Sequence, residues 1–460
     1  MRVTIQRGAE RPALSLWRDT AGPAPVVPAA PLPQHADVVI IGAGYTGLWT
    51  ALHLLREQPE LEVVVLERTH VGFGASGRNG GWASALFPTS LAKVAAHSSP
   101  ESARDLRRAM IRTVDDVGRW AQEEGIDCEY AKGGTITIAR NRAQVDTLWA
   151  DVADAHAWGD TDADLAYLDA AGAESHVRMP GTLAASYTPH CAALHPLKLV
   201  HGLARAVMAR GGRILEGVTA LSYGRGVVST DQGVITCDAV VRATEGFTAR
   251  FDGHHREIMP IYSLMIATEP LPDALWERIG LAERETFTEQ RHVVIYGQRT
   301  ADGRLAFGGR GAPYHWDSGV SAEFDAHPRV HAGLHATLLE LFPDLAGVRI
   351  THRWGGALGI PRDYMPFVRF ADGVGEAGGY VGDGVAASAL AGRTLADLIL
   401  GRATADTALP WVGHHGRDWE PEPLRWLEAN GMLAGLSLAD RREAATGRPS
   451  RIAQMLYRLL

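Results

Sequence analysis

The stretch ADVVIIGAGYTGLWTALHLLREQPELEVVVLER, residues 36–68, decides the fold. Asp37 to Ile41 is a short β-branched run that suits a buried parallel strand. From Thr46 to Arg56, Leu48, Ala51, Leu52 and Leu55 recur at helical spacing, and Glu62 to Leu66 is a second buried strand. Strand, helix and strand make a βαβ unit, which the right-handed crossover rule renders parallel. Its GAGYTG turn places Gly42, Gly44 and Gly47 in GxGxxG spacing, with Tyr45 and Thr46 between them at the helix start. Gly42 permits the tight turn, Gly44 lets a pyrophosphate approach the backbone, and Gly47 lets the helix lie close to the sheet. The phosphate is expected on the helix N-terminus, where free N–H groups and the macrodipole favour an anion. Glu67, with Arg68 beside it, ends the second strand where a ribose hydroxyl would need an acceptor. That acid argues against a 2′-phosphate, and so against NADP.

The next segment, GFGASGRNGGW at residues 72–82, separates NAD from FAD. It holds five glycines in eleven positions, too many for a helix or strand. A nicotinamide dehydrogenase needs no second glycine-rich loop here, whereas FAD is longer and must be wrapped further. Gly80 and Gly81 allow close approach, Ser76 and Asn79 offer hydrogen bonds, and Ala75, Arg78 and Trp82 complete the loop. The expected cofactor is FAD.

Composition bounds the rest. A chain of 460 residues, 46 % hydrophobic and 21 % charged, predicts two domains or one large composite with a substantial core. A net charge of −8 gives no electrostatic case for nucleic acid or an anionic membrane as main partner. Cys128, Cys191 and Cys237 form no CxxC or metal-ligand cluster, so no metal and a reduced, cytoplasmic setting are expected. MRVTIQRGAERPALSLW lacks the apolar core of a signal peptide, and no uncharged apolar stretch reaches the roughly 18–20 residues of a membrane span.

The proline-rich run AGPAPVVPAAPLPQ (21–34) reads as a tether closing an N-terminal arm over 1–35. Helices are expected at 101–125, 142–158, 196–210 and 322–341. GGTITIAR (133–140) reads as a strand at a sheet edge, and residues 214–223 as another strand. GVVSTDQGVITCDAVVRAT (226–244) reads as strand, turn, strand, strand. Residues 256–312 alternate strand and loop, with an Asp-Gly hairpin turn in TADGRLAFGG. GGYVGDGVAASALAGRTLADLILG (378–401) sets a glycine loop before an apolar helix, and an extension follows over 401–460.

Together with the fingerprint, GASGRNGG, GVITCDAVVRATEG and GGYVGDGVAASALAGRTLADLI resemble the D-amino acid oxidase superfamily of FAD-dependent amine oxidoreductases. The branch is similar to glycine oxidase, sarcosine oxidase and γ-glutamylputrescine oxidase-like enzymes. Proteins labelled aminophosphonate oxidoreductases look similar too, including the tail LPWVGHHGRDWEPEPLRWLEANG. The resemblance covers roughly residues 36–400. It implies an α/β fold: an FAD-binding Rossmann-like domain of the GR2 type and a smaller α+β substrate domain built on an antiparallel sheet. The FAD domain would comprise 36–90, 195–255 and 350–400, and the substrate domain 91–194 and 256–349. Val218 matches the position whose backbone meets the adenine, and Ala243, Thr244 and Gly246 match a small-residue turn against the nucleotide. Gly382, Asp383, Gly384 and Val385 match the loop at the pyrimidine edge of the flavin. A helix starting there would direct its dipole at the ring and favour reduction.

The implied reaction is oxidation of a primary or secondary amine, a class that includes amino acids and aminophosphonates. Hydride transfer to flavin leaves an imine, and oxygen is the expected acceptor. Alternatives are a dehydrogenase feeding a quinone or carrier protein, and a flavin-binding subunit without turnover. Tyr262 either faces the flavin or belongs to the core. Arg310 and Arg353 are candidates for gripping an anionic substrate group through a forked guanidinium. His352 and Asp363 lie on the same segment as Arg353, and Tyr380 precedes the flavin loop. Two departures stand out. WGGALGIPRD has Ala357 and Leu358 where glycine oxidase-like enzymes carry an arginine, and IYSLMIATEP lacks the lysine with which sarcosine oxidases activate oxygen. The cysteines do not fall where that branch attaches flavin, so non-covalent FAD is expected.

Overall fold

The computed structural model describes residues 15–457. Residues 1–14 of the expected arm lie outside them. The deciding stretch forms the strand His35–Ile41, the helix Tyr45–Glu57 and the strand Val63–Glu67. The strands pair in parallel, Val38 opposite Val63 and Ile41 opposite Leu66. Around them an eight-stranded sheet runs in the order Phe367–Ala371, Val374–Gly378, Gly233–Arg242, His35–Ile41, Val63–Glu67, Arg213–Glu216. The antiparallel hairpin Ala220–Gly224 and Val227–Thr230 joins it through Gly233–Arg242.

Helices Tyr45–Glu57, Pro196–Ala209 and Gly384–Ile399 bury their apolar stripes in one large core with Ile40, Val65 and Val241. Gly392 permits the close crossing of the first and last of these helices, since a Cβ there would lie 2.5 Å from Trp49 Cβ. The opposite face of the sheet buries Val39, Val64 and Val240 in a smaller core with Val228 and Ile235 from the hairpin region.

A second eight-stranded sheet is largely antiparallel. Its long strands Ile258–Thr268 and Ile350–Pro361 pair from Ile258 opposite Pro361 to Ala267 opposite His352. Phe287, Phe307, Trp276 and Phe342 fill its core with helix Pro328–Leu341.

Several expectations need correction. Thr135–Ala139 is an interior strand, between Thr286–Glu289 and Ala184–Thr188. Gly133, just before it, admits a neighbouring backbone: a Cβ there would meet Glu283 O at 2.2 Å. Residues 214–223 divide into two strands at Gly217, whose φ is +73°, and 233–242 is one continuous strand. The helix expected at 322–341 begins at Pro328, after a separate turn Ala322–Asp325. Helix Pro100–Glu123 turns Met110, Val114, Val117 and Trp120 into the core that holds Trp49, not into the second sheet. Helical periodicity marks the buried face without naming its partner. Conversely, Ile350–Pro361 belongs to the second sheet, because its register follows Ile258–Thr268.

The C-terminal extension packs on the body. Trp411 and Trp419 are buried, and Trp419 Nε1 donates to Ile360 O at 2.7 Å. On helix Leu424–Thr446, Asp440 accepts from both His292 N (2.8 Å) and Val293 N (2.9 Å). Among the described residues no helix is long and apolar enough to cross a membrane.

Candidate active site

A cavity of about 860 Å³ runs between the two sheets. Its size sits at the upper end of ordinary small-molecule sites, which span roughly 300–1,000 Å³. One end is built by the GxGxxG turn. Gly42 adopts φ +110°, where a side chain would be strained and its Cβ would lie 2.6 Å from Ala243 O. Gly44 lines the wall with Tyr45 and Thr46 at the start of the helix. Tyr45 N donates to Ser76 Oγ at 2.9 Å, so the glycine loop meets the helix start directly. Gly47 stands behind the wall, where a Cβ would be 2.0 Å from Gly42 O. Glu67 and Arg68 line the same end. The Glu67 carboxylate accepts from Ala43 N (3.1 Å) and Thr69 N (2.9 Å), and burial raises its pKa. Val218, also lining, donates its N–H to Glu67 O at 3.0 Å.

The loop 72–82 forms the middle. Ala75, Ser76, Arg78, Asn79, Gly80 and Trp82 line the cavity. Asn79 spends its side chain within the loop: Oδ1 accepts from Gly81 N at 2.8 Å, and Nδ2 donates to Ala75 O at 3.1 Å. Arg78 is paired with Asp325. Gly81, like Gly47, stands behind the wall; a Cβ there would meet Gln298 Nε2 at 2.2 Å. Gly80 makes room for the Tyr296 ring, 2.7 Å from where its Cβ would be.

Ala243, beside Gly42, lines the cavity with Thr244, Glu245 and Gly246, as do Gly382, Asp383, Gly384 and Val385 at the start of helix Gly384–Ile399. Glu245 has φ +43°. Its Oε1 accepts from Tyr380 N at 3.1 Å, while Oε2 is buried without a hydrogen-bond partner. Burial pushes its pKa up to about 7. Burial likewise pushes Asp383 up to about 6, with Arg310 opposing. A glycine cradle, two helix N-termini without side-chain caps and the buried, unpartnered indole N–H of Trp82 suit a long anionic ligand with a flat ring. FAD is such a ligand. The three cysteines are buried and none lines the cavity.

Glu245 gives the site a pH dependence. Below about pH 4.5 the acid is protonated folded or unfolded, and above about pH 7 it is ionised in both. Between these values only the unfolded chain releases the proton, so stability falls as pH rises. Glu245→Gln should remove up to about 3 kcal/mol of that decline. Denaturant unfolding of both proteins from pH 4.5 to 8 checks this, and parallel curves would refute it.

The substrate-side candidates divide. Arg310 and Tyr380 line the cavity. Tyr380 OH lies 2.9 Å from Thr46 Oγ1, and Arg310 Nη2 donates to Val381 O. Tyr262 does not line it. Its ring is buried in the second sheet's core, and its hydroxyl donates to Ser321 O at 3.0 Å. Its neighbour Ser263 faces the cavity instead, because adjacent strand residues point to opposite faces. His352 bonds Asp19 at 3.2 Å, and Arg353 borders a separate pocket with His331 and His335. Asp363 is held by His414 Nε2 at 2.7 Å, which lowers its pKa against the effect of burial. None of these three lines the main cavity.

Two tyrosines there escape the sequence reading, Tyr296 and Tyr364. Tyr296 OH meets Ser263 Oγ at 2.8 Å, and burial raises its pKa. The available signal was glycine spacing, since Gly308 also clears its ring, 2.6 Å from a Cβ position. Tyr364 sits on a loop with φ +60°, where periodicity gives no signal.

Comparison with known proteins agrees with this geometry. The family model described as FAD dependent oxidoreductase matches residues 37–398. A protein of Rhizobium meliloti described as probable oxidoreductase OrdL is 32 % identical over 414 residues, 85 % of this chain and 90 % of that one. Gamma-glutamylputrescine oxidoreductase of Escherichia coli is 32 % identical over 390 residues, covering 82 % and 87 %. The crystal structure of glycine oxidase from Geobacillus kaustophilus superposes with a TM-score of 0.70 at 22 % identity, over 84 % of this chain and all of that one. The cradle, its two helix ends and these relatives lead to one conclusion: the chain belongs to the FAD-dependent oxidoreductase family and takes FAD as its cofactor.

Proposed function

We propose that this enzyme oxidises a small primary or secondary amine bearing an anionic group, with molecular oxygen as final acceptor. The observation that carries the reading is Arg310. It enters the cavity from the end of strand Leu305–Gly309, beside the loop Val381–Gly384. A guanidinium offers five donors in a rigid fork, and Val381 O engages one nitrogen, so a carboxylate or phosphonate can be held by the remainder. Tyr296, Tyr364 and Leu358 would shape the space for the carbon chain, as they line the cavity too. The relatives named for γ-glutamylputrescine and glycine support an amine as the reacting group.

Bound FAD supplies hydride acceptance from the carbon beside nitrogen, leaving an imine that water hydrolyses. The chain's part is to orient that carbon and to keep the buried tyrosines protonated, as the raised pKa of Tyr296 favours. Under anaerobic conditions, an amine with a carboxylate or phosphonate should bleach the flavin bands, and its uncharged analogue should do so far more slowly. Equal bleaching would refute the role of Arg310. Rapid recolouring in air would support oxygen as acceptor; recolouring only with a quinone would make the enzyme a dehydrogenase.

A further inference from the structure

The short helix Leu16–Thr20 precedes the part of the chain matched to the family, yet it reaches the cofactor loop. Leu16 and Trp17 are both 1 % exposed. Trp17 Nε1 donates to Asn79 O at 2.8 Å, and Trp354 Nε1 donates to Arg78 O at 2.9 Å. The two indoles meet edge to face, 6.0 Å apart, so successive loop carbonyls are held by a pair of rings that brace each other. Gln298 Nε2 takes the next carbonyl, that of Gly80, at 2.6 Å.

His195 fixes the seat of Trp17. It packs edge-on at 5.0 Å, and burial drives its pKa down to about 3, so the ring is neutral. Its Nδ1 accepts from Lys198 N at 3.2 Å. The proton therefore sits on Nε2, which donates to Thr20 Oγ1 at 3.0 Å, while the Thr20 hydroxyl donates its hydrogen bond to Leu16 O at 2.8 Å. Asp19 ties the helix to His352 on the second sheet at 3.2 Å.

A trans peptide is planar, and its C=O and N–H point to opposite sides. Turning Asn79 O outward to Trp17 therefore turns the Gly80 N–H the other way. Gly80 lines the cavity. We propose that Trp17 is a positioning residue for the cofactor: its indole locks the Asn79–Gly80 peptide so that the Gly80 N–H is presented to bound FAD. The arm is thus part of the cofactor site without touching the cavity.

The test is Trp17→Phe in the full chain, which keeps a ring and deletes the N–H. FAD retention should weaken about tenfold, the scale of one buried hydrogen bond left unmade, as read by flavin fluorescence on dilution of the holoenzyme. Leu148→Ala, in a small core remote from the cavity, serves as a control for destabilisation: it should lower Tm and leave FAD retention unchanged. Thr20→Val, which cuts the His195 link, should weaken retention by a smaller factor, about threefold, and carries the test if Trp17→Phe does not fold. Wild-type FAD retention in the folded Trp17 and Thr20 variants would overturn the proposal. So would a loss that Leu148→Ala reproduces at equal Tm.

Discussion

Gly47→Ala should purify colourless. The added Cβ would lie 2.0 Å from Gly42 O and 3.1 Å from an Ile40 methyl. Gly42 O is backbone, so no rotamer change relieves the clash; the helix Tyr45–Glu57 must lift off the sheet. Overpacking a tight core costs about 1–3 kcal/mol even where side chains can give way, and here the upper part of that range is expected. The shift falls on the turn that receives the pyrophosphate, so FAD affinity should drop along with stability. Gly44→Ala is the instructive contrast. Its Cβ would meet only the Ser76 side chain, with Oγ at 3.0 Å, so the apoprotein fold should be little disturbed, but the methyl would stand on the cavity wall where the pyrophosphate approaches and weaken FAD there. Both variants should lose flavin, and the apoprotein Tm should separate them: lowered by Gly47→Ala, near wild type for Gly44→Ala. A yellow Gly47→Ala protein with wild-type Tm would contradict this account of the turn.

Arg310→Met should lower kcat/KM for an anionic amine by about 10²–10³-fold. Hydrogen bonds to charged groups contribute about 1.5–3 kcal/mol each, and two from one fork reach that scale at about 1.4 kcal/mol per decade. Arg310→Lys should recover only part of the loss, because an ammonium cannot reproduce the bidentate fork. An uncharged amine of the same length should be oxidised at nearly the same rate by the wild-type and Met enzymes. Equal losses on both substrates would mean that Arg310 acts through its bond to Val381, holding the cofactor loop instead of the substrate.

These two predictions differ in how readable their residues were. Gly47 follows from the sequence alone, because a βαβ unit has one way to seat a dinucleotide and each glycine has a steric reason to be there. Glu67 likewise ends the second strand where the sequence placed it, at the same end of the cavity as the turn. The substrate side obeys no such local rule. Tyr262 and Ser263 are adjacent on one strand, and only the register against Ala357 and Gly356 sends the tyrosine to the core and the serine to the cavity. His352 looked chemical but ties down the arm, and Asp363 serves His414. Tyr296 was hidden because only Gly308, opposite it on the neighbouring strand, lies near it in sequence, while the other space that admits its ring comes from the distant Gly80. Trp17 was hidden for a related reason: its meaning lies in a carbonyl sixty-two positions away.

The cavity wall begins at Ile41 and is not complete until Ser388. On the ribosome, chains emerge at about 5–20 residues per second, so the dinucleotide turn exists well before the helix Gly384–Ile399 that packs on Tyr45–Glu57 and adds the last lining residues. The complete set of residues that line the FAD site is therefore present only once the chain has been made past Ser388. Supply of the vitamin then governs how much enzyme is active and how long it survives, since a ligand that binds only the folded form stabilises it in proportion to the logarithm of its concentration over Kd.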